Sequence, residues 1–144
     1  SELQRLLAEG AASQEEMDVV DRAALSWFVS TPLAEAIREA GGRFRREFMF
    51  VSAEPCGTFD ATIDAAEDQT VLVRGIVDGV IDGEEGLEVL DYKTDGISEA
   101  MVADRCEKYK PQLQLYARAV ERLWRKPVRR SWLVFLSPRR IVEV

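Results

Sequence analysis

The sequence predicts an α/β domain with a mixed central β-sheet flanked by helices. Three observations predict it. Apolar residues recur at helical spacing over the first forty residues. A β-branched run, a glycine-rich turn and a second apolar run follow one another over residues 70–94, and an amphipathic segment over about 110–125 precedes two further apolar runs. Nearly continuous apolar strands need cover on both faces, with the long C-terminal helix on one face and the N-terminal helices beside it.

The lead-in is helical. Residues 1–10 read as the end of a helix closed by Gly10, and Ser13 followed by Glu16 reads as a capping box opening the next, in which Met17, Val20, Ala24 and Phe28 share one face. Ser30 or Thr31 caps a further helix with Pro32 at its first position, and Gly41-Gly42 stops it. Phe44, Phe48, Phe50 and Val51 then mark a first strand, followed by an irregular stretch around Pro55 and Gly57. The run T-V-L-V-R-G-I-V-D-G-V-I over 70–81 is too rich in valine and isoleucine for a surface helix. The turn at Asp82-Gly83-Glu84-Glu85-Gly86 joins it to residues 87–94 as a hairpin. After a polar connection from Asp95-Gly96, a helix over about 110–125 points Leu113, Ala117, Val120 and Trp124 inward, and residues 132–136 and 140–144 close the sheet as strands. Trp27, Phe28, Phe48, Leu113, Val120, Trp124 and Phe135 are expected to supply most of the core.

About half of the 144 residues are apolar, enough for one buried core and too few for two, so 1–144 reads as a single domain with a helical lead-in over 1–42 and its core over 43–144. No apolar run approaches the roughly 20 residues of a membrane-spanning helix, and the start shows no export signal. A cytoplasmic location with no membrane partner is the expectation. Cys56 and Cys106 lack a C-x-x-C spacing and the chain has no histidine, which excludes a zinc or iron-sulfur site of the usual kind and leaves reduced, buried thiols. The net charge of -7 argues against a nucleic-acid partner, since DNA binding leaves a basic footprint. Carboxylates that hold cations soften that argument, as does the gathering of Arg125, Lys126, Arg129, Arg130, Arg139 and Arg140 near the C-terminus, either a solvated face or a DNA contact.

Chemistry concentrates in the hairpin, where Asp78 ends one strand and Asp91-Tyr92-Lys93 lies near the end of the next. Alternation along a strand sends Asp91 and Lys93 to one face and Leu90 and Tyr92 to the other. Two carboxylates and an ammonium at a sheet edge suit metal-assisted phosphodiester hydrolysis. A hard cation such as Mg²⁺ takes oxygen ligands and keeps several waters. The lysine either positions the attacking water or stabilises the charge of the transition state. Taken alone, Asp-x-Lys is a weak motif that reads more readily as a surface ion pair between neighbouring strands.

The flanking pattern decides between them. G-I-V-D, then a turn, then L-E-V-L-D-Y-K-T-D, then Q-L-Q-L-Y-A-R-A-V-E occur in order, and the succession resembles the RecB-like branch of the PD-(D/E)XK nuclease superfamily, most closely the nuclease domain of AddA-type helicase-nucleases. Upstream, E-E-M-D-V-V-D-R-A-A-L-S-W-F-V-S-T-P-L and R-R-E-F-M-F resemble the segments that precede the hairpin there, so the likeness covers nearly the whole chain. It implies a restriction-endonuclease-like core over 43–144 and Mg²⁺, for which Mn²⁺ can substitute. By the same resemblance the metal is held by Asp78, Asp91 and the backbone carbonyl of Tyr92, with Lys93 as the motif lysine. Gln112 and Tyr116 match a Q-x-x-x-Y motif whose members share one helix face. Glu47 stands where the family often carries an acidic residue, while Asp95 either binds metal or caps a turn.

The resemblance further implies cleavage of DNA unwound by helicase domains of the same polypeptide, an AddB-like partner protein, and a role in double-strand-break repair and recombination. The family's upstream histidine helix has no counterpart here, and the expectation is a piece of a larger helicase-nuclease. The alternatives are a nuclease fold that binds or scaffolds DNA without cutting it, and a nuclease that works without a motor.

Overall fold

The computed structural model describes residues 5, 8–11, 13–15, 19–55 and 70–144. The helix read over 1–10 lies largely outside the described residues, and Glu16 of the capping box, Met17 and Cys56 lie outside them altogether.

Helix α1, Arg22–Val29, starts later than its apolar spacing implied, because Asp21 caps it by accepting from the Ala24 N–H at 2.9 Å. Val19 and Val20 are thereby left outside the helix. Helix α2, Pro32–Ala40, is capped by Thr31 rather than Ser30, with the hydroxyl accepting from Ala34 N–H at 3.2 Å and Pro32 in the first turn. A short 3₁₀ turn over Gly41–Arg43 leads into β1, Phe44–Pro55. The hairpin forms as its pattern predicts, with β2 over Thr70–Asp82 and β3 over Leu87–Lys93. Helix α3 spans Val102–Trp124, starting eight residues before the expected boundary at about 110. Pro111 lies inside it, and residues 102–109, read as a polar connection, are helical because Val102, Cys106 and Tyr109 pack beneath them against Leu113, Leu133 and Phe135. Strand β4, Val128–Phe135, begins four residues earlier than expected, and β5, Arg140–Glu143, closes the set.

The five strands form one sheet in chain order. β1 pairs antiparallel with β2, β2 with β3 and β4 with β5, whereas β3 and β4 run parallel. Parallel neighbours need a crossover long enough to return the chain to the same end of the sheet, and α3 is that crossover. The sheet is therefore mixed, as expected. α3 covers one face, where Val77, Val80, Leu87 and Val89 meet Ala119 and Val120. α1 and α2 cover the other, where Leu33 and Ala40 meet Ile81, Leu90 and Val134, with Trp27 and Phe28 packed around them.

Of the seven expected core residues, Leu113, Val120 and Phe135 are fully buried, while Trp27, Phe28, Phe48 and Trp124 are only half-buried at the rims of these clusters. Full burial of a large apolar side chain contributes about 1.5–3 kcal/mol, so β-strand leucines and valines carry more of the core than the aromatic residues do. One buried charge is structural. Glu54 on β1, 1% exposed, accepts from Ser52 Oγ at 2.6 Å and pairs with Arg122 of α3 at 3.1 Å, tying the edge strand to the crossover helix. Half of the basic cluster near the C-terminus is paired with carboxylates at the surface: Lys126 with Asp82, Arg130 with Glu88 at 3.7 Å and Arg140 with Glu99.

Candidate active site

The β2–β3 ladder runs from Asp82↔Leu87 to Gly79↔Leu90 and stops there. One step further on each strand stand Asp78 and Asp91. Asp78 is therefore mid-strand rather than at a strand end, since β2 continues to Asp82; what ends beside it is the pairing with β3. Its carboxylate takes over where the ladder leaves off, Oδ2 accepting from the backbone N–H of Tyr92 at 2.8 Å. That bond fixes Asp78 beside the Asp91-Tyr92-Lys93 segment. Leu90 and Tyr92 face α1 and α2, with Tyr92 edge-on to Phe28 at 5.3 Å between centroids, and Asp91 and Lys93 face α3.

On that side a linked set of polar groups forms. Lys93 Nζ lies 2.5 Å from Asp91 Oδ2 and donates to Gln112 Oε1 at 3.2 Å; Gln112 Nε2 donates in turn to Tyr116 Oη at 2.8 Å. Gln112 and Tyr116 sit one helical turn apart on the face of α3 that meets the sheet. Tyr116 is held by its ring, edge-on to Phe50 at 5.6 Å. Only glycine at position 75 permits this: a Cβ there would lie 2.6 Å from the Phe50 ring and 3.1 Å from that of Tyr116.

Tyr109 is a member of this set that the sequence motifs did not single out. Its ring stacks over the Lys93 ammonium, 4.0 Å from Nζ to centroid, and its hydroxyl donates to Asp95 Oδ2 at 2.5 Å. The available signal was its place on the Gln112 side of α3, three residues before that glutamine. Asp95, for which metal binding and turn capping were both open, serves as the acceptor that orients Tyr109, while its carbonyl accepts from Ile97 N–H at 2.8 Å. Glu47 faces Asp78 from β1, between the pairs Arg46↔Gly79 and Phe48↔Val77, and its φ of 49° breaks the strand's regular alternation.

The groups do not open onto one cleft. Asp78 and Tyr92 line a cavity of about 600 Å³ with Phe44, Arg45, Arg46 and Glu47. Gln112 and Tyr116 line a second of about 480 Å³. Asp91 and Lys93 line neither, and Asp91 is only 5% exposed.

Burial dominates the electrostatics. It pushes the Asp91 carboxyl above the usual carboxylate range, partly opposed by Lys93 and reinforced by the charge of Asp78. The Tyr92 phenol is pushed up to about 12 by burial and then by Asp78. Tyr116 is raised by burial, partly opposed by its bond to Gln112, with smaller raising contributions from the charges of Asp91 and Asp78. The Tyr109 hydroxyl is raised first by its bond to Asp95.

A raised folded-state pKa in an acid means that the folded protein binds the proton more tightly than the unfolded chain. Stability contributed by neutral Asp91 is thus present at acid pH and lost as pH rises through the raised value. Through this group the metal-free protein should lose stability as pH rises above the ordinary carboxyl value of 3.8, and Asp91→Asn should flatten that part of the profile. Thermal melts of both proteins in a chelator check it; an unchanged pH dependence in Asp91→Asn would assign the slope elsewhere.

The site also fits a divalent cation. Asp91 Oδ2 is buried, and its close partner among the described residues is the Lys93 ammonium 2.5 Å away. No three His, Cys, Asp or Glu side chains gather into a metal-ligating group among the described residues. The paired carboxylates of Asp78 and Asp91 are nonetheless compatible with Mg²⁺, which keeps most of its waters.

A sheet that holds two carboxylates and a lysine at the point where a hairpin's pairing ends is the arrangement of a nuclease fold. The PD-(D/E)XK nuclease superfamily matches residues 1–143, and the chain belongs to it. Similar proteins include the AddA component of the ATP-dependent helicase/nuclease of Lactobacillus delbrueckii subsp. bulgaricus, 38% identical over 96% of this chain. The corresponding proteins of Carboxydothermus hydrogenoformans and Oceanobacillus iheyensis are 31% and 28% identical, over 96% and 99% of it. The chain covers 12% of the length of each of these three proteins. Its homology is therefore to the nuclease portion of a helicase-nuclease. No helix among the described residues is long and apolar enough to cross a membrane.

Proposed function

We propose that this domain hydrolyses phosphodiester bonds of DNA with a divalent cation, Mg²⁺ or Mn²⁺ in its place, held by Asp78, Asp91 and the Tyr92 carbonyl. The observation that carries the reading is the placement of Asp78 and Asp91 one step beyond the last β2–β3 pair, with the buried Asp91 carboxylate paired to Lys93. When bound, such a cation lowers the pKa of water and polarises a phosphoryl oxygen.

The chain's own residues do the rest. Asp78, tethered to Tyr92 N–H, and Asp91, buried on the α3 face, present two carboxylates already fixed in place, so little ordering remains when the ion arrives. Lys93 donates to the charge that develops on the phosphoryl oxygens, and Gln112 and Tyr116 hold it toward the scissile group from α3. Tyr109, oriented by Asp95, supports the ammonium from the other side. Glu47 stands across from Asp78 and adds negative charge to the cleft wall. The context we infer from the relatives' names is a polypeptide in which a helicase motor supplies unwound strands, with a second protein of the AddB type, in cytoplasmic double-strand-break repair.

Degradation of a labelled single-stranded oligonucleotide tests the reading. Cleavage should require Mg²⁺ or Mn²⁺, stop in excess chelator and return when the metal is restored. DNA binding that is equal with and without metal, accompanied by no cleavage when the domain is joined to its motor, would favour the non-cutting alternative.

A further inference from the structure

We propose that Arg45 and Arg46 form a clamp for a backbone phosphate of the strand being cut, seated in the cleft that Asp78 also lines. The inference rests on the nuclease reading above and adds where the substrate strand is held.

Arg45, Arg46 and Glu47 are successive residues of β1 that line one cavity of about 600 Å³. At Glu47 the backbone is left-handed, φ 49°, and the pairing with β2 skips from Arg46↔Gly79 to Phe48↔Val77, so that Phe44 packs on the α1 and α2 side of the sheet while Phe48 and Phe50 pack on the α3 side. A non-glycine residue held in that conformation costs free energy, and such strain tends to persist where it serves a site. Both arginines are exposed, and neither side chain makes a hydrogen bond or ion pair among the described residues. Lys126, Arg130 and Arg140, by contrast, are each paired with a carboxylate.

The cleft's own chemistry requires such a pair. Glu47 and Asp78 would repel a phosphodiester, and two guanidinium groups offset those two charges with a fork geometry suited to phosphate oxygens. Phe44 closes one side of the cleft, its ring seated on Gly79, where a Cβ would lie 2.7 Å from it. The aromatic wall beside paired cations matches the way single strands are tracked, with charge on the backbone and a ring available to a base.

Metal-free binding of a fluorescent single-stranded oligonucleotide to the 144-residue chain, measured over a range of KCl, tests the clamp. The Arg45→Gln/Arg46→Gln double variant should bind roughly tenfold or more weakly, and the slope of log affinity against log salt should shrink by about 0.7 for each phosphate no longer neutralised. Arg45→Lys/Arg46→Lys should keep most of the slope. Arg125→Gln, exposed at the C-terminal end of α3 and outside the cleft, should match the wild type in both. An oligonucleotide with neutral methylphosphonate linkages should not distinguish wild type from the glutamine variant, which ties the effect to the DNA backbone. Wild-type affinity and slope in the glutamine variant, or no measurable binding by the wild type at low salt, would overturn the proposal. Because no metal is present, either result is separable from failure of the nuclease reading, which shows instead as absence of metal-dependent cleavage when the domain is joined to its motor.

Discussion

Asp91→Ala is expected to reduce DNA cleavage to background, at least about a thousandfold below wild type, because it removes the buried oxygen on which a cation would seat. Asp91 is one of only two carboxylates at the end of the β2–β3 ladder, and among the described residues no third acidic group joins them in a metal-ligating cluster. Stability should move little or rise in the metal-free protein, since Asp91 is raised in pKa by burial more than it is lowered by Lys93. Activity and stability therefore move independently, and a rate assay alongside a thermal melt separates loss of the site from loss of the fold. In a polypeptide that joins this domain to a helicase motor, ATP hydrolysis and unwinding should persist.

Lys93→Ala carries the second-largest expected effect, a loss of about a hundred- to a thousandfold in the cleavage rate, the usual consequence of removing one donor aimed at developing transition-state charge. Metal and DNA binding should be retained, so the loss falls on kcat rather than KM. Single-turnover rates at saturating DNA measure this directly. The outcome that counts against the role is wild-type degradation in Mg²⁺ by Lys93→Ala.

Much of the site was legible in the sequence because its spacing is dictated by strand geometry. The β-branched runs around Asp78 and Asp91 could only be paired strands. Alternation then placed Asp91 and Lys93 on one face and Leu90 and Tyr92 on the other, and the four-residue spacing of Gln112 and Tyr116 placed both on one side of a helix. Less legible was whatever depended on contacts between distant elements. The ladder's end at Gly79↔Leu90 is not written in either strand, so Asp78 read as a strand end rather than a mid-strand residue that binds a backbone N–H across the gap. Residues 102–109 read as a connection because their helix is stabilised by packing on Leu133 and Phe135 rather than by local pattern. Tyr109 went unnoticed for the same reason, since its value lies in what its ring faces. The pairing of Lys126, Arg130 and Arg140 with Asp82, Glu88 and Glu99 was likewise not legible, since it joins residues more than forty positions apart.

The central claim is that Asp78 and Asp91 together hold a divalent cation. Electron paramagnetic resonance of Mn²⁺ titrated into the wild-type chain and into Asp78→Asn, Asp91→Asn and Lys93→Ala tests it without requiring activity. The account predicts saturable binding by the wild type and by Lys93→Ala, and its loss in both asparagine variants. Equal Mn²⁺ binding by all four proteins would contradict it.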